Sequence, residues 1–534
     1  MNRFLSLLLV VVVLLAACSD ASDTNDAPAS AGLTFIHLND TYRIGDVDSG
    51  RTGGFGRVVT VIRELRAEGR DVRILHGGDF LYPSLESALW DGMQMIDALN
   101  FLDALAPLYV VAGNHEFDRR RPKQLAAAMR ASTFDWLGDN YELMSGDAAV
   151  DSMLQSGFVV EHDGRRIGIF AITLHADEGG NERDYVPIDP DYLGAARRAL
   201  AEFDVRDVDL IVGLTHLHIW QDMEIAKLKA EYPQFLFIAG GHEHEPEFEI
   251  FTAASAAIVK GASNARTIWR IDVDFAPDGT PRMSSEAVEL GPDIEQDPEY
   301  ETLAAGWRAR LLEKFPFLTA RIGEAAVVLD GREVTVRNTE SNWANFIVDQ
   351  MRGAFGREDA DLAFINSGTL RIDDFIAGDI TFEDIGRTFG FSSLLRYTTL
   401  SGAEFRATLE NGYRGSGPSK GYFPQVSGFR VCVDRSRPEG DRIVSLQLPA
   451  DDGWQEISPG TDYDVVVTDF LWRGGDGYTW PAGRKASRAG SELKYLVLDA
   501  VMAAQASGQR VGEEVDPLNP RIVILDESRR ECWP

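Results

Sequence analysis

Along the first half of the chain, short apolar runs alternate with stretches of helical spacing, and most of the apolar runs empty into a polar cluster. Leu33 to Leu38 predicts a buried strand that runs straight into Asn39-Asp40-Thr41-Tyr42. Phe55 to Glu68 has helical spacing, with Val58, Val61, Ile62 and Leu65 on one face. Val72 to Leu75 predicts the next strand, ending in His76-Gly77-Gly78-Asp79. One helical stretch, about Leu85 to Leu105, leads to the apolar run Leu108 to Ala112 and then to Gly113-Asn114-His115-Glu116-Phe117-Asp118. Phe158 to Ile172, broken by Asp163-Gly164, predicts a β-hairpin. After a helical segment near Tyr192 to Phe203, the run Leu210 to Leu214 is followed by Thr215-His216-Leu217-His218. Phe235 to Ala239 repeats the form and ends Gly240-Gly241-His242-Glu243-His244. Ile250 to Phe275 is strand-rich. Such alternation predicts a layered α/β domain with its loops gathered at one sheet edge.

Asp297 to Phe315 predicts an amphipathic connecting helix, with Leu303, Trp307, Leu311 and Leu312 on one face. Beyond it, mixed helices and strands resume at Ile322 without another histidine, and no internal repeat is evident. Besides His76, which opens the second cluster, five of the nine histidines, His115, His216, His218, His242 and His244, sit in the polar clusters after apolar runs. Each alone is consistent with a polar turn and a hydrogen-bonded imidazole. Together with Asp40, Asp79 and Asn114 they form a donor set without cysteine, which suits zinc, manganese or magnesium. Two ions about 3.5 to 4 Å apart, bridged by a carboxylate, would use that many donors and clamp a phosphoryl group for in-line transfer.

A length of 534 residues suggests two to four domains at about 150 residues each. The formal charge is −32, from 52 basic against 84 acidic residues, which argues against a nucleic-acid polymer as partner. A small phosphate compound is still admissible, because exposed charges more than about 8 Å away are screened at physiological salt. Its negative charge has to be met locally, and metal ions would supply that. At the N-terminus, Arg3 precedes an apolar run from Leu7 to Ala17 that is too short to span a bilayer, as in an export signal. It closes Leu15-Ala16-Ala17-Cys18, which resembles the lipobox of bacterial lipoproteins and implies that Cys18 becomes the lipidated first residue of the mature chain. The alternative is an ordinary secretory signal with a fortuitous cysteine. Ser19 in place of Asp points to the outer membrane, and Ser19 to Ala31 reads as a flexible tether. Cys432 and Cys532 remain as a pair to be oxidised outside the cytoplasm or as two buried thiols.

The set Asn39-Asp40, Gly78-Asp79, Gly113-Asn114-His115-Glu116, His216 and Gly241-His242-Glu243-His244 resembles the calcineurin-like metallophosphatases. Gly113 to Asp118 is similar to the 5′-nucleotidases in particular, and the C-terminal half also resembles that family. The resemblance rests there on Arg337 before Glu340-Ser341-Asn342, on Asn366 to Arg371, on Gly421 to Gly428 and on Asp469 to Tyr478. It implies a four-layer α/β-β/α metallophosphatase domain followed by a smaller α+β nucleotide-binding domain. The expected divisions are a lipoprotein signal at 1–18, a tether at 19–31, the catalytic domain at 32–293, a connecting helix at 294–319 and the substrate domain at 320–534.

By the same resemblance, two divalent ions (Zn, Mn, Mg or Co) are held, with Asp79 bridging, Asp40 and His244 on one, and Asn114, His216 and His242 on the other. His115 would stabilise charge on the transferred phosphoryl group, with Asp118 orienting its ring. Glu116 is read as a supporting or structural residue, and His218, to which the resemblance assigns no role, as a supporting or packing one. Phe423 and Phe470 would sandwich the base, Asp476 would accept ribose hydroxyls, and Asn366, Arg371 and Arg337 would contact the substrate. Taken from the residues alone, Phe423 and Phe470 are also readable as core positions.

Two positions depart from the pattern or point elsewhere. The family commonly has a histidine ligand where this chain has Tyr42, which would leave one ion with fewer protein donors. Gly78 to Tyr82 also resembles the loop of the purple acid phosphatases, whose tyrosine binds ferric iron. The expected function is hydrolysis of nucleoside 5′-monophosphates or related nucleotides to nucleoside and phosphate, in a lipid-anchored protein of the bacterial cell envelope. Alternatives are a phosphodiesterase or nucleotide-sugar hydrolase acting on 2′,3′-cyclic nucleotides or UDP-sugars, and a nucleotide-binding surface lipoprotein without turnover.

Overall fold

A computed structural model describes residues 32–175, 183–356, 360–415, 420–451, 453–486, 488–526 and 528–533. The expected signal, Cys18 and the tether lie outside the described residues. Strand β1 (Leu33–Leu38) is buried along its whole length and pairs in parallel with β2 (Asp71–His76). The parallel order continues through β3 (Leu108–Val111), β4 (Asp135–Leu137) and β5 (Leu154–Gln155). Parallel neighbours need long crossovers, which is why helical stretches separate these strands. A hairpin is thereby excluded between β1 and β2, and helix Phe55–Ala67 fills the gap. Two antiparallel strands complete this sheet beyond β1: β12 (Thr267–Phe275) and, at the edge, β13 (Pro281–Glu289).

The second sheet runs in the order β10 (Glu247–Glu249), β11 (Ala257–Lys260), β9 (Phe235–Gly240), β8 (Leu210–His216), β7 (Arg165–Thr173), β6 (Phe158–His162). One core lies between the sheets, where Phe35 of β1 meets Phe237 of β9 edge-on at 5.6 Å. A second core lies under helices Tyr192–Val205 and Ile219–Ala226, on the outer face of the second sheet. The layers are therefore helix, sheet, sheet, helix, as expected. The β6–β7 hairpin turns through Asp163 (φ 47°) and Gly164 (φ 75°), where two left-handed residues match the twist of the strands.

The single helix expected over Leu85 to Leu105 is two helices, Leu85–Trp90 and Met93–Asp103. Asp91 (φ 52°) and Gly92 (φ 80°) are left-handed and break it, and a Cβ on Gly92 would stand 2.8 Å from the Leu81 side chain. The apolar periodicity continues through the break, so spacing alone could not reveal it. Helix Pro298–Lys314 starts on Asp297, whose side chain accepts from the Glu299 and Tyr300 amides, with Pro298 in the first turn. It packs on the first half through Tyr300 and Trp307, and reaches the second half where Arg308 donates to Glu383 at 2.6 Å.

The second half has a five-stranded sheet in the order Pro424–Ser427, Leu362–Asn366, Asp462–Thr468, Leu394–Ser401, Arg488–Glu492. Beside it is a four-stranded sheet, Gly453–Glu456, Ile443–Ala450, Arg430–Asp434, Ile522–Leu525. Cys432 and Cys532 form a disulfide (Cα–Cα 5.5 Å) that ties the C-terminal tail to this sheet across 100 residues. Among the described residues no helix is long and apolar enough to cross a membrane.

Candidate active site

The strands β1, β2, β3, β8 and β9 all end at the same edge of the paired sheets, and their following loops carry the donor side chains to one place. Asp40, Asp79 and His216 present ligand atoms within 4.8 Å of one another, all buried. Asp79 Oδ2 lies 3.3 Å from His216 Nε2 and 3.3 Å from the Tyr42 hydroxyl, so one oxygen faces two separate groups. On one side, Asp40 Oδ1 stands 3.4 Å from His244 Nε2. On the other, His216 Nε2 stands 3.1 Å from Asn114 Oδ1. The His242 ring packs edge-on against His216 at 5.3 Å. All six expected metal residues thus gather in one neighbourhood.

The loops hold one another in place. Gly78 (φ 86°) lies so close to the third loop that a Cβ would be 2.5 Å from the Gly113 amide nitrogen. A Cβ on Gly241 would meet the Gly77 carbonyl at 2.1 Å. Asp40 (φ 53°), Asp79 (φ 60°) and His242 (φ 80°) occupy left-handed backbone, the kind of strain that persists only where the surroundings over-determine it. Glu116 does much of that here: its carboxylate accepts from the amides of Gly113, Asp79, Phe80 and Leu81 at 2.6 to 2.9 Å. Burial and the nearby Asp79 charge push the Glu116 carboxyl up to about 7. Asn39 accepts from the Gly261 amide at 2.7 Å and donates to Asp40 Oδ2 at 2.7 Å, which aims Oδ1 inward.

The second nitrogen of two ligand-forming imidazoles is held as well. His216 Nδ1 donates to the Gly77 carbonyl at 2.6 Å, and His244 Nδ1 to Glu333 at 2.7 Å. Burial works against charge on His216, yet the Asp79 carboxylate carries its imidazole up to about 10. Burial likewise opposes ionisation of Asp79, but His216 and His115 hold it well below the usual carboxylate range. Burial keeps His242 far below the ordinary imidazole value, so it presents a neutral ring. Buried carboxylates and imidazoles facing one another fit divalent cations, which would take the place of the proton that Asp79 favours on His216.

His115 Nδ1 is 3.0 Å from Asp118 Oδ2, and its Nε2 points toward Asp79 Oδ2 (3.9 Å) and Arg371 Nη2 (3.4 Å). Burial disfavours its charge, but Asp118 and Asp79 raise its affinity for a proton. Arg371 comes from the second half, sandwiched between Tyr42 (5.2 Å) and Phe391 (5.3 Å), and its buried Nη1 has no hydrogen-bond partner among the described residues. Arg337 Nη2 donates to Glu333 at 2.9 Å while its buried Nε has none. Asn366 donates to Asp476 at 2.8 Å. Phe470 is 40% exposed, with Gly475 close against its ring, whereas Phe423 is 1% exposed, edge-on to Tyr413 in the core. Phe423 immediately precedes the buried strand Pro424–Ser427 and lies in the same apolar core, so of the two expected base-stacking rings only Phe470 is exposed. The Tyr82 hydroxyl donates to Asp91 at 3.2 Å under the Arg119 guanidinium instead of joining the donors, contrary to the purple-acid-phosphatase pattern.

Sequence reasoning missed Glu333, Phe391 and Lys260. Phe391 lies 5.6 Å from the His115 ring. Lys260 is fully buried, 2.9 Å from Asp222, paired with Glu243, and donates to the Leu217 and Gly241 carbonyls, pinning two ligand loops. A lone lysine ending the apolar run Ala257-Ile258-Val259 was a readable signal of a buried, paired charge. Glu333 and Phe391 carried no such signal. The His218 ring packs edge-on to His242 at 4.5 Å.

Residues 33–246 match the family model of the calcineurin-like phosphoesterases, and residues 321–483 match that of the 5′-nucleotidase C-terminal domain. The chain belongs to the calcineurin-like metallophosphatases that carry a 5′-nucleotidase C-terminal domain. It is 25% identical to the trifunctional nucleotide phosphoesterase protein YfkN of Bacillus subtilis, over 96% of this chain but only 36% of YfkN. It is 24% identical to the 5′-nucleotidase of Bos taurus, over 84% of each chain. The crystal structure of a 5′-nucleotidase precursor from Thermus thermophilus superposes with a TM-score of 0.76 at 25% identity, covering 93% of this chain and all of that one. This metallophosphatase is a phosphoric monoester hydrolase whose family uses divalent metal ions.

Proposed function

We propose that this metallophosphatase hydrolyses nucleoside 5′-monophosphates or closely related nucleotides to nucleoside and inorganic phosphate, with two divalent ions at the loop cluster. The observation that carries this reading is Arg371. It comes from the nucleotidase half to the edge of the donor cluster, with Nη2 3.4 Å from His115 Nε2, while its buried Nη1, 4.0 Å from Glu333 Oε1, has no hydrogen-bond partner among the described residues. A phosphoryl oxygen satisfies that nitrogen, and a bidentate guanidinium contact fixes its orientation. Asp79 would serve both ions, Asp40 and His244 one, and Asn114, His216 and His242 the other; when bound, the ions polarise phosphoryl oxygen and activate water. His115, oriented through Nδ1 by Asp118, donates from Nε2 to the charge that develops on the phosphoryl group. Asn366 and Asp476 receive the ribose, and the exposed ring of Phe470 stacks on the base, at about 1 to 3 kcal/mol without strong base preference.

The similarity to 5′-nucleotidases supports a nucleotide as substrate, and the similarity to the trifunctional YfkN also supports a broader phosphoesterase range. Product analysis separates the readings: adenosine and phosphate from AMP, a nucleoside monophosphate from a 2′,3′-cyclic nucleotide, and UMP with glucose 1-phosphate from UDP-glucose. AMP is expected to be the best of the three, with activity lost to a chelator and recovered with added metal. Turnover confined to the cyclic nucleotide or the sugar nucleotide overturns the monophosphate assignment. We also propose export and lipid anchoring at Cys18, supported by the lipobox-like Leu15 to Cys18 and by the Cys432–Cys532 disulfide, which belongs to an oxidising compartment. Membrane association that survives Cys18→Ser would refute the anchor.

A further inference from the structure

Four residues beyond the donor His216, the chain carries an exposed indole. Trp220 is 46% exposed and is the second residue of helix Ile219–Ala226, which begins just past the end of β8, on the edge that gathers the donor loops. Its ring lies parallel to the His218 imidazole (15°, 6.2 Å between centroids), and Tyr192 meets it edge-on at 6.1 Å. His218 in turn stands edge-on to His242 at 4.5 Å, and His242 edge-on to His216 at 5.3 Å. A row of rings therefore leads from the donor cluster out to Trp220. Two of these contacts in series, 4.5 and 6.2 Å, put the indole within about 11 Å of the His242 ring.

The backbone under the indole is held before any ligand arrives. The His218 amide donates to Gln221 Oε1 at 3.1 Å, the Ile219 amide to Glu243 Oε1 at 3.0 Å, and buried Lys260 donates to the Leu217 carbonyl at 2.6 Å. Only the two χ angles of Trp220 remain to be ordered, so covering its ring costs little entropy. A lone exposed aromatic side chain is ordinary on a protein surface. One fixed at the edge of a phosphate site, at the outer end of a row of rings from the donors, is placed to receive a second flat group of the substrate. Phe470, Asn366, Asp476 and Arg371 all belong to the other half of the chain, and Arg371 reaches the donors beside His115 and not beside His242.

We propose that Trp220 forms a second base subsite, which extends the substrate range from nucleoside monophosphates to dinucleoside pyrophosphates. The inference rests on the nucleotide reading above. One nucleoside occupies the region of Phe470, Asn366 and Asp476, and the scissile phosphorus sits at the donors beside His115 and Arg371. The second phosphate and its ribose span the His242 side, and the second base stacks on the indole. Water adds to the bound phosphorus and the bridging oxygen leaves on the other phosphate. Diadenosine pyrophosphate and water thus give two AMP, with the protons of the water released to solvent at neutral pH. Each AMP is then a substrate of the same site.

The test is steady-state kinetics of the whole, metal-loaded protein on diadenosine pyrophosphate, ADP and AMP, with the nucleoside products separated by chromatography. The wild type is expected to convert diadenosine pyrophosphate to AMP and adenosine. Trp220→Leu keeps apolar bulk but removes the flat ring. It is expected to lower kcat/KM for diadenosine pyrophosphate at least about tenfold more than for ADP or AMP, mostly through KM, and Trp220→Tyr is expected to recover most of the loss. ADP carries the pyrophosphate without the second base, so an equal loss on all three substrates would place Trp220 in support of the donor loops and overturn the subsite. An unchanged ratio in Trp220→Leu, or a wild type that turns over AMP but not diadenosine pyrophosphate, overturns it as well. Thermal unfolding checks that the variants are folded, and should Trp220→Leu not fold, Trp220→Gln decides by the same ratio. A wild type that acts on none of the three overturns the nucleotide reading itself.

Discussion

In the metallophosphatase half, the donor side chains ride on loops that lock one another. Glu116 gathers four amides of two loops, Asn39 aims Asp40, and Lys260 pins the loops after β8 and β9. The C-terminal half reaches the same centre differently, with side chains alone: Glu333 on His244, Arg371 between Tyr42 and Phe391, and Phe391 over His115. Backbone-held donors keep their geometry however the halves are arranged, whereas Glu333, Arg371 and Phe391 act only while the halves are docked. One half therefore builds the charge that attracts a phosphate, and the other completes the site and tunes it.

The largest expected effect breaks the shared element. Asp79→Asn is expected to lower AMP turnover on the order of 10³-fold, since the carboxylate proposed to serve both ions loses its charge, while thermal unfolding of the metal-free protein changes little. Wild-type-like turnover would show that the two donor groups do not depend on Asp79. Arg371→Ala, which removes the cross-domain guanidinium, is expected to reduce kcat/KM about 10²-fold with metal content unchanged. A loss of metal instead would place Arg371 in support of the donors rather than of the phosphate.

Glu333→Gln sharpens the comparison further. It loosens the tautomer of His244 from across the interface and is expected to weaken binding of one ion about 10- to 100-fold, leaving the ion near His216 in place. Equal loss of both ions would mean that Glu333 holds the domains together and not the ligand. Reduction of Cys432–Cys532 is expected to act on stability alone, lowering it by about 3 to 5 kcal/mol through the freed loop, without changing turnover at a temperature where the protein stays folded. Unfolding followed by calorimetry with and without reductant checks this, and an equal loss of activity would tie the tail to the site.

Strand ends were legible in the chain because a fully buried parallel strand must be a continuous apolar run, and the polar residues that follow it must lie on the edge where the loops emerge. Asp40, Asp79, Asn114 and the histidines of these loops were readable as candidate donors for that reason, while the choice of His216, His242 and His244 over His115 and His218 came from the family resemblance. The break at Asp91-Gly92 was hidden inside an unbroken apolar period. The pairing of the two cysteines needed the fold, since 100 residues of separation say nothing about proximity.

By itself, the order of apolar runs and polar loops determined the layered architecture of the first half and the kinds of donor at its edge, because those follow from local burial and residue chemistry. Only the tertiary structure decided that Glu333 grips a histidine 89 positions away, that Arg371 enters the donor cluster, that Phe423 is buried while Phe470 is exposed, and that the Tyr42 oxygen faces three ligand atoms. These relations depend on distances between elements far apart along the chain, and no local pattern of residues encodes such distances.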